Sequence, residues 1–274
     1  ANVFLLNPNG IIFGPDSSIN IGGSFIVTTA DQLNFGGNRI FSAINPNRAP
    51  AILNVTAPVG LQFGSDPGAI ALERASFQGT ARNTLALLGG DLNLSGVDLE
   101  VKQGRLELGS IGPNQTVTLN ARRNGFALDY GAVDTFGDID ITQSTFLTDD
   151  RQVTQSSYLS VGGEKPGRLQ LQGRRIVVDR SLIAASSLNG SGSRILVNAA
   201  ASLLIEGEIT LPEDVILRLE RENEDAVSIR TSGLSNLVER DESAEGNAGQ
   251  VRIETPQLIL QNGGQIGSNN QGIG

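Results

Sequence analysis

The residues in this chain that could do chemistry are few and of one kind. Asp138 and Asp140 stand two apart, so a strand presents both carboxylates on one side. Asp129, Asp149 and Asp150 stand near them in the sequence. Two carboxylates flanking a bond are what a glycosidase needs. A lyase adds an arginine or lysine as base, with a cation such as calcium held by carboxylates. An extracellular polysaccharide lyase or hydrolase is therefore the alternative reading of the sequence. The ordinary reading is that alternating polar residues line the outward side of a strand, and that the chain is not an enzyme.

The rest of the catalytic repertoire is thin. The chain has no His, which removes the commonest general base and metal ligand. It has no Cys, which excludes disulfides, thiolate zinc sites and cysteine nucleophiles. The calcium-array pattern GGxGxD does not occur, and Gly89-Gly90-Asp91 lacks its spacing. No catalytic residue, metal site or cofactor is expected. With 29 acidic and 20 basic residues the net charge is −9, the wrong sign for a nucleic-acid partner. No apolar run approaches the roughly 20 residues of a membrane-spanning helix. The sequence contains no Met and no signal peptide, and is expected to be a processed product or an excised fragment.

The elements that must position these residues read as short strands. Of 274 residues 34 are Gly, and apolar runs of four to six residues sit beside Gly or Pro. Val3–Asn7, Ser18–Ile21, Ser24–Thr29, Ile40–Ile44 and Ile52–Thr56 are the first such runs. From residue 90 a small residue is followed by polar, apolar, polar, apolar. The copies are Gly90–Leu94, Gly104–Leu108, Gly137–Ile141 and Gly167–Leu171, with looser ones at Ser193–Val197 and Gly249–Ile253.

Second strands follow at Val97–Val101, Val117–Leu119, Ile176–Val178, Leu203–Ile205 and Leu258–Leu260. Third strands follow in three copies, at Leu182–Ala184, Glu208–Leu211 and Gln265–Gly267. Three strands in about 20–25 residues make one coil of a solenoid. The predicted fold is all-β, a right-handed parallel β-helix with surface loops or extra strands. Leu, Ile and Val face inward, charged residues face outward, and Gly or Asn turns the corners. Glu213–Asp225 and Val238–Glu245 break the rhythm with charge and read as solvated loops, with Val215–Leu219 as a possible strand on the flank.

One further string stands out. Asn7-Pro8-Asn9-Gly10 satisfies a type I turn at every position, and Ile11 resumes the apolar run. Asn45-Pro46-Asn47-Arg48 repeats the first three letters without the Gly, so the turn alone says little. The longer stretch NVFLLNPNGIIFGPDSSINIGGSFIVTTAD (2–31) resembles the secretion domain of filamentous-haemagglutinin-like exoproteins of two-partner secretion systems. FSAINP (41–46), GLQFGSDPGAI (60–70), TLALLGGDL (84–92), GRLELGSI (104–111), GDIDITQSTF (137–146) and GRLQLQGRRI (167–176) resemble the cyanobacterial-type members. GNAGQVRIETPQLILQNGGQI (246–266) is similar to their later repeat unit.

The resemblance implies a secreted surface protein. Its partner would be an outer-membrane β-barrel transporter, its activity adhesion to a host or environmental glycan or protein, and no segment would span the membrane. It makes Asn7, Pro8, Asn9, Gly10 and Ile11 a secretion and structural motif. It divides the chain into the remainder of a secretion domain (1–82), continuing coils (83–212), a charged insertion (213–247) and a further repeat (248–274). It also implies that an earlier motif and the first capping strands are missing at the N-terminus.

Overall fold

In the computed structural model, residues 1–37, 39–45, 57–149, 151–185, 193–209, 233–238 and 249–270 are described. All regular structure among them is β. The chain winds in coils. The first holds β1 (Val3–Leu6), β2 (Ile11–Phe13) and a bridge at Ser18. The second opens with β3 (Phe25–Thr28), makes an excursion through β4 (Gln32–Asn34), β5 (Ile40–Ser42) and β6 (Gly60–Gln62), and returns as β7 (Ile70–Glu73) and β8 (Ser76–Gln78). The third is β9 (Thr84–Gly89), β10 (Leu92–Ser95) and β11 (Asp98–Glu100).

The fourth coil starts with β12 (Arg105–Ser110) and leaves through β13 (Thr116–Ala121) and β14 (Phe126–Asp129). It resumes at β15 (Ile139–Thr142), extends the hairpin β16 (Ser144–Thr148) and β17 (Arg151–Gln155), and ends at β18 (Tyr158–Ser160). The fifth is β19 (Arg168–Asp179) and β20 (Leu182–Ala184), the sixth β21 (Arg194–Glu206) and β22 (Gly233–Val238). The last is β23 (Gln250–Glu254), β24 (Leu258–Gln261) and β25 (Gln265–Asn270).

Stacking of equivalent strands makes three faces, all parallel. The first runs β1, β3, β9, β12, the first half of β19, the first half of β21, then β23. The second runs β2, β7, β10, β15, then the second halves of β19 and β21, then β24. The third runs from Ser18 through β8, β11, β18, β20 and β22 to β25. The predicted parallel β-helix is what forms. Thr84 lies beside Arg105 and Arg168 beside Arg194, so those two coils take 21 and 26 residues.

The polar–apolar alternation sets the interior. Leu106, Leu108, Leu169, Leu171, Ile195 and Val197 are fully buried and stack in one core. Each such burial contributes about 1.5–3 kcal/mol. Corners use more than Gly and Asn, because Arg74, Arg82, Gln103 and Arg180 also take left-handed backbone angles.

Three readings of the sequence need correction. Gly90–Leu94 and Gly137–Ile141 share a pattern with Gly104–Leu108 and Gly167–Leu171 but lie on a different face. Alternation reports which side chains point inward, and that is the same on every face. Val117–Leu119 is not a second strand of a coil. It belongs to β13, and Ile40–Ser42 belongs to β5, in an antiparallel sheet ordered β14-β13-β6-β4-β5. Ser18–Ile21 contributes only the bridge at Ser18.

The antiparallel sheet is a second layer over the first face. Beneath it lie Ile26, Ala86 and Leu88, the outward residues of β3 and β9, all fully buried. Outward positions there are thus apolar, and the layer adds Leu61, Phe63, Val117 and Phe126 to its own core. Ile52–Thr56, Val215–Leu219 and Glu213–Asp225 lie outside the described residues. Within 213–247 only Gly233–Val238 is described, and it is strand β22 of the third face.

Candidate functional site

The turn at Asn7–Gly10 carries the chain from the first face to the second. The Asn7 N–H donates to the Thr28 carbonyl at 3.1 Å, finishing the β1–β3 ladder. The Gly10 N–H then donates to the Asn7 carbonyl at 3.1 Å, closing a four-residue turn with Pro8 at its second position. The Asn7 side chain adds a bond, its Oδ1 accepting from the Asn9 N–H at 3.2 Å. Gly10 sits at φ +106°, where a side chain is strained, and a Cβ there would lie 3.0 Å from the Ala69 carbonyl oxygen. That same oxygen accepts the Ile11 N–H at 3.0 Å and starts the β2–β7 ladder. Ile11 and Phe13 pack on the core, with the Phe13 ring edge-on to Phe77 at 5.0 Å, while Ile12 is 82% exposed.

The motif is the first member of a column. The Pro8 carbonyl accepts the Gly68 N–H at 3.1 Å, and the Gly68 carbonyl accepts the Gly90 N–H at 2.8 Å. Thr29 Oγ1 also donates to that Gly68 oxygen, at 2.8 Å. Further along, Gly137 accepts the Arg174 N–H at 2.6 Å. The positions are too close for side chains. A Cβ on Gly68 would lie 2.4 Å from the Gly10 nitrogen, and one on Gly90 would lie 2.2 Å from the Pro67 oxygen. The sequence marks Gly90 and Gly137 as the starts of repeats but says nothing of Gly68. The available signal was Asp66-Pro67-Gly68, a second Pro-containing turn just before an apolar strand.

The acidic pair lies on the same corner. Ile11, Ile70, Leu92, Ile139 and Ile176 are in register, so Gly10, Asp91, Asp138 and Arg175 occupy one line, each a residue earlier. Asp91 Oδ1 accepts the Asp138 N–H at 2.8 Å, and Asp138 Oδ1 accepts the Arg175 N–H at 3.1 Å. Asp138 Oδ2 also meets Arg174 Nη2 at 2.7 Å and Arg175 Nε at 3.4 Å. Arg175 Nη2 reaches Asp140 Oδ1 at 3.4 Å. Burial raises the Asp140 carboxyl above the ordinary range, with Arg175 working against it. Arg174 and Arg175 stand at the register shift that follows Gly173 in the β19–β21 pairing, so Asp138 staples the chain at a corner irregularity.

The other acids stand on different elements. Asp129 ends β14 and accepts the Gly131 N–H at 2.8 Å. Asp149 takes φ +47° in the turn between β16 and β17, and Asp150 lies outside the described residues. Among the described residues no group of three or more His, Cys, Asp or Glu is placed to hold a metal ion.

Set against known families, residues 1–161 match the TPS secretion domain, the secretion domain of two-partner systems. The match runs from β1 to just past β18 and contains the whole Asn7–Ile11 turn and its Gly68 and Gly90 neighbours. No curated protein and no solved structure matches the chain.

Proposed function

The chain belongs to the TPS secretion domain family, and from that premise we propose that it is the exported, adhesive β-helix of a two-partner exoprotein. It is recognised by a dedicated outer-membrane β-barrel transporter, crosses unfolded, and folds at the cell surface. The family match over residues 1–161 carries this reading. Asn7–Ile11 serves it as the corner that sets the first two faces in register, the structural half of secretion competence. The absence of Cys suits a chain that must stay unfolded in an oxidising compartment.

The topology suits export from the N-terminus. Each coil pairs with its neighbours, so a coil can form on the preceding one as it emerges. The second layer is the exception. β6 pairs with β13, so the layer over Ile26, Ala86 and Leu88 is complete only when the fourth coil arrives. Folding of the first coils is then completed by residues 116–129, well inside the family match.

The test is export of the precursor with and without its transporter. Appearance of folded protein in the medium only when the transporter is present is the expected result. Unchanged export without it overturns the reading. Adhesion is tested separately, by binding of the purified chain to target-cell surfaces.

A further inference from the structure

On the first face, Arg105, Arg168 and Arg194 stand side by side on β12, β19 and β21. Adjacent strands lie about 4.8 Å apart, so the row is about 10 Å long. Like charges directly opposite one another on neighbouring strands repel. A chain of net charge −9 nevertheless places three arginines in line. The hairpin between β13 and β14 adds two more. Arg82, Arg105, Arg122, Arg123, Arg168 and Arg194 line one pocket of about 410 Å³, and among the described residues no acid lines it.

The arginines are not neutralised, although Arg82 Nε donates to Gln103 Oε1 at 3.1 Å and Arg168 Nη2 to Gln170 Oε1 at 3.0 Å. Among the described residues none of the six has a carboxylate within salt-bridge distance. Arg105 Nη1 and Arg168 Nε are buried with no hydrogen-bond partner. The Arg105 guanidinium is destabilised by burial, with Glu107 opposing this and Arg168 and Arg122 adding repulsion. Glu107, two residues along β12 from Arg105, is fully buried, and burial pushes its carboxyl up to about 8, against the pull of Arg168 and Arg105, which weakens it as a counter-charge.

The site is also held rigid. Gly125, at the hairpin tip, has φ +81°, and a Cβ there would lie 2.4 Å from Ser24 Oγ. Thr84, one coil below Arg105, exchanges bonds with Phe126: its Oγ1 donates to the carbonyl at 2.8 Å and accepts the N–H at 3.0 Å. The tip carrying Arg122 and Arg123 is thus pinned at the Arg105 end of the row. Beyond Arg122 and Arg168 a second pocket of about 510 Å³ contains Tyr130, Phe136 and the acid Asp129, so the purely cationic stretch ends there.

We infer that this pocket binds a ligand presenting two or more tetrahedral oxyanions, phosphate or sulfate, in a line along Arg105, Arg168 and Arg194. Guanidinium forks match such groups bidentately. A row of this length engages more than one oxyanion. Among the described residues no aromatic side chain lines the pocket for base stacking, which turns the inference away from single-stranded nucleic acid.

Calorimetric titration of the whole chain at physiological salt tests this, with orthophosphate, tripolyphosphate and a sulfated dextran oligosaccharide as probes. Tripolyphosphate, the sulfated oligosaccharide or both should bind at least tenfold tighter than orthophosphate. Which of the two wins assigns the phosphate or the sulfate source. Arg168→Gln, and separately the pair Arg105→Gln with Arg194→Gln, should weaken that binding at least tenfold. Their melting temperatures without ligand should be equal or higher, because repulsion is relieved. Arg252→Gln, on an arginine paired with Glu254 on β23, should bind as the parent does. Absence of binding by either oligoanion overturns the inference. So does binding that survives both row variants, or that Arg252→Gln weakens equally.

Discussion

The Gly68 N–H donates to the Pro8 carbonyl at 3.1 Å, joining the second coil to the turn of the first. That contact is possible only because position 68 has no side chain, since a Cβ would lie 2.4 Å from the Gly10 nitrogen. The Asn7–Ile11 motif is therefore half of a pair, and its other half lies in a stretch that the sequence does not connect to it.

Removing either half should be costly. Gly10→Val and Gly68→Ala should each destabilise by about 1–3 kcal/mol, through backbone strain and steric displacement. Gly14→Ala, with open space around it, should change little. Asn7→Ala should cost about 0.5–1.5 kcal/mol for its lost turn bond. Denaturant midpoints of the four variants check this, and equal midpoints for Gly68→Ala and Gly14→Ala would refute the paired corner.

The second layer makes two outward residues behave oppositely. Leu88 is fully buried beneath the antiparallel sheet, and Ile12 is 82% exposed. Leu88→Ser should cost about 2–4 kcal/mol, and Ile12→Ser should stay within about 0.5 kcal/mol. A bare coil without the layer predicts a small effect at both. Urea unfolding distinguishes the two.

If Asp138 is a staple, Asp138→Ala should lower stability by about 1–2 kcal/mol, since it frees two guanidinium groups and the Arg175 N–H. Asp140→Asn should be nearly silent, because its one partner among the described residues, Arg175 at 3.4 Å, is half-exposed. Thermal melting compares them. A stable Asp138→Ala would instead favour a pair held for chemistry.

Glu107 should give stability a slope with pH. Its carboxyl is raised from 4.5 to about 8, chiefly by burial, with Arg168, Arg105 and the Leu128 N–H opposing. Between those values the unfolded chain has released this proton while the folded chain holds it. Its contribution is therefore full below pH 4.5, falls as pH rises, by at most about 1.4 kcal/mol per unit, and levels off above about 8. Glu107→Gln should remove that slope and be the more stable protein at pH 8.5. Parallel melting curves for the two proteins across this range would show that Glu107 is ionised in the fold.

What the sequence determined by itself is local. Alternation placed Leu106, Leu108, Leu169 and Leu171 inside, and Asn-Pro-Asn-Gly specified its own turn, because both depend on neighbours a few residues away. The coil repeat, and with it the parallel β-helix, followed from that alternation recurring.

Tertiary structure decided what depends on coil closure. Gly90–Leu94 and Gly104–Leu108 read alike, yet join different faces, since face is set by where the preceding corner ends. Leu88 is buried in a cluster with Leu33, Leu61, Val117 and Leu119, which come from excursions in two separate coils. Gly68 meets Pro8, and Arg105 meets Arg168, across whole coils and their insertions. Such contacts are fixed by stacking register, which distance along the chain does not encode.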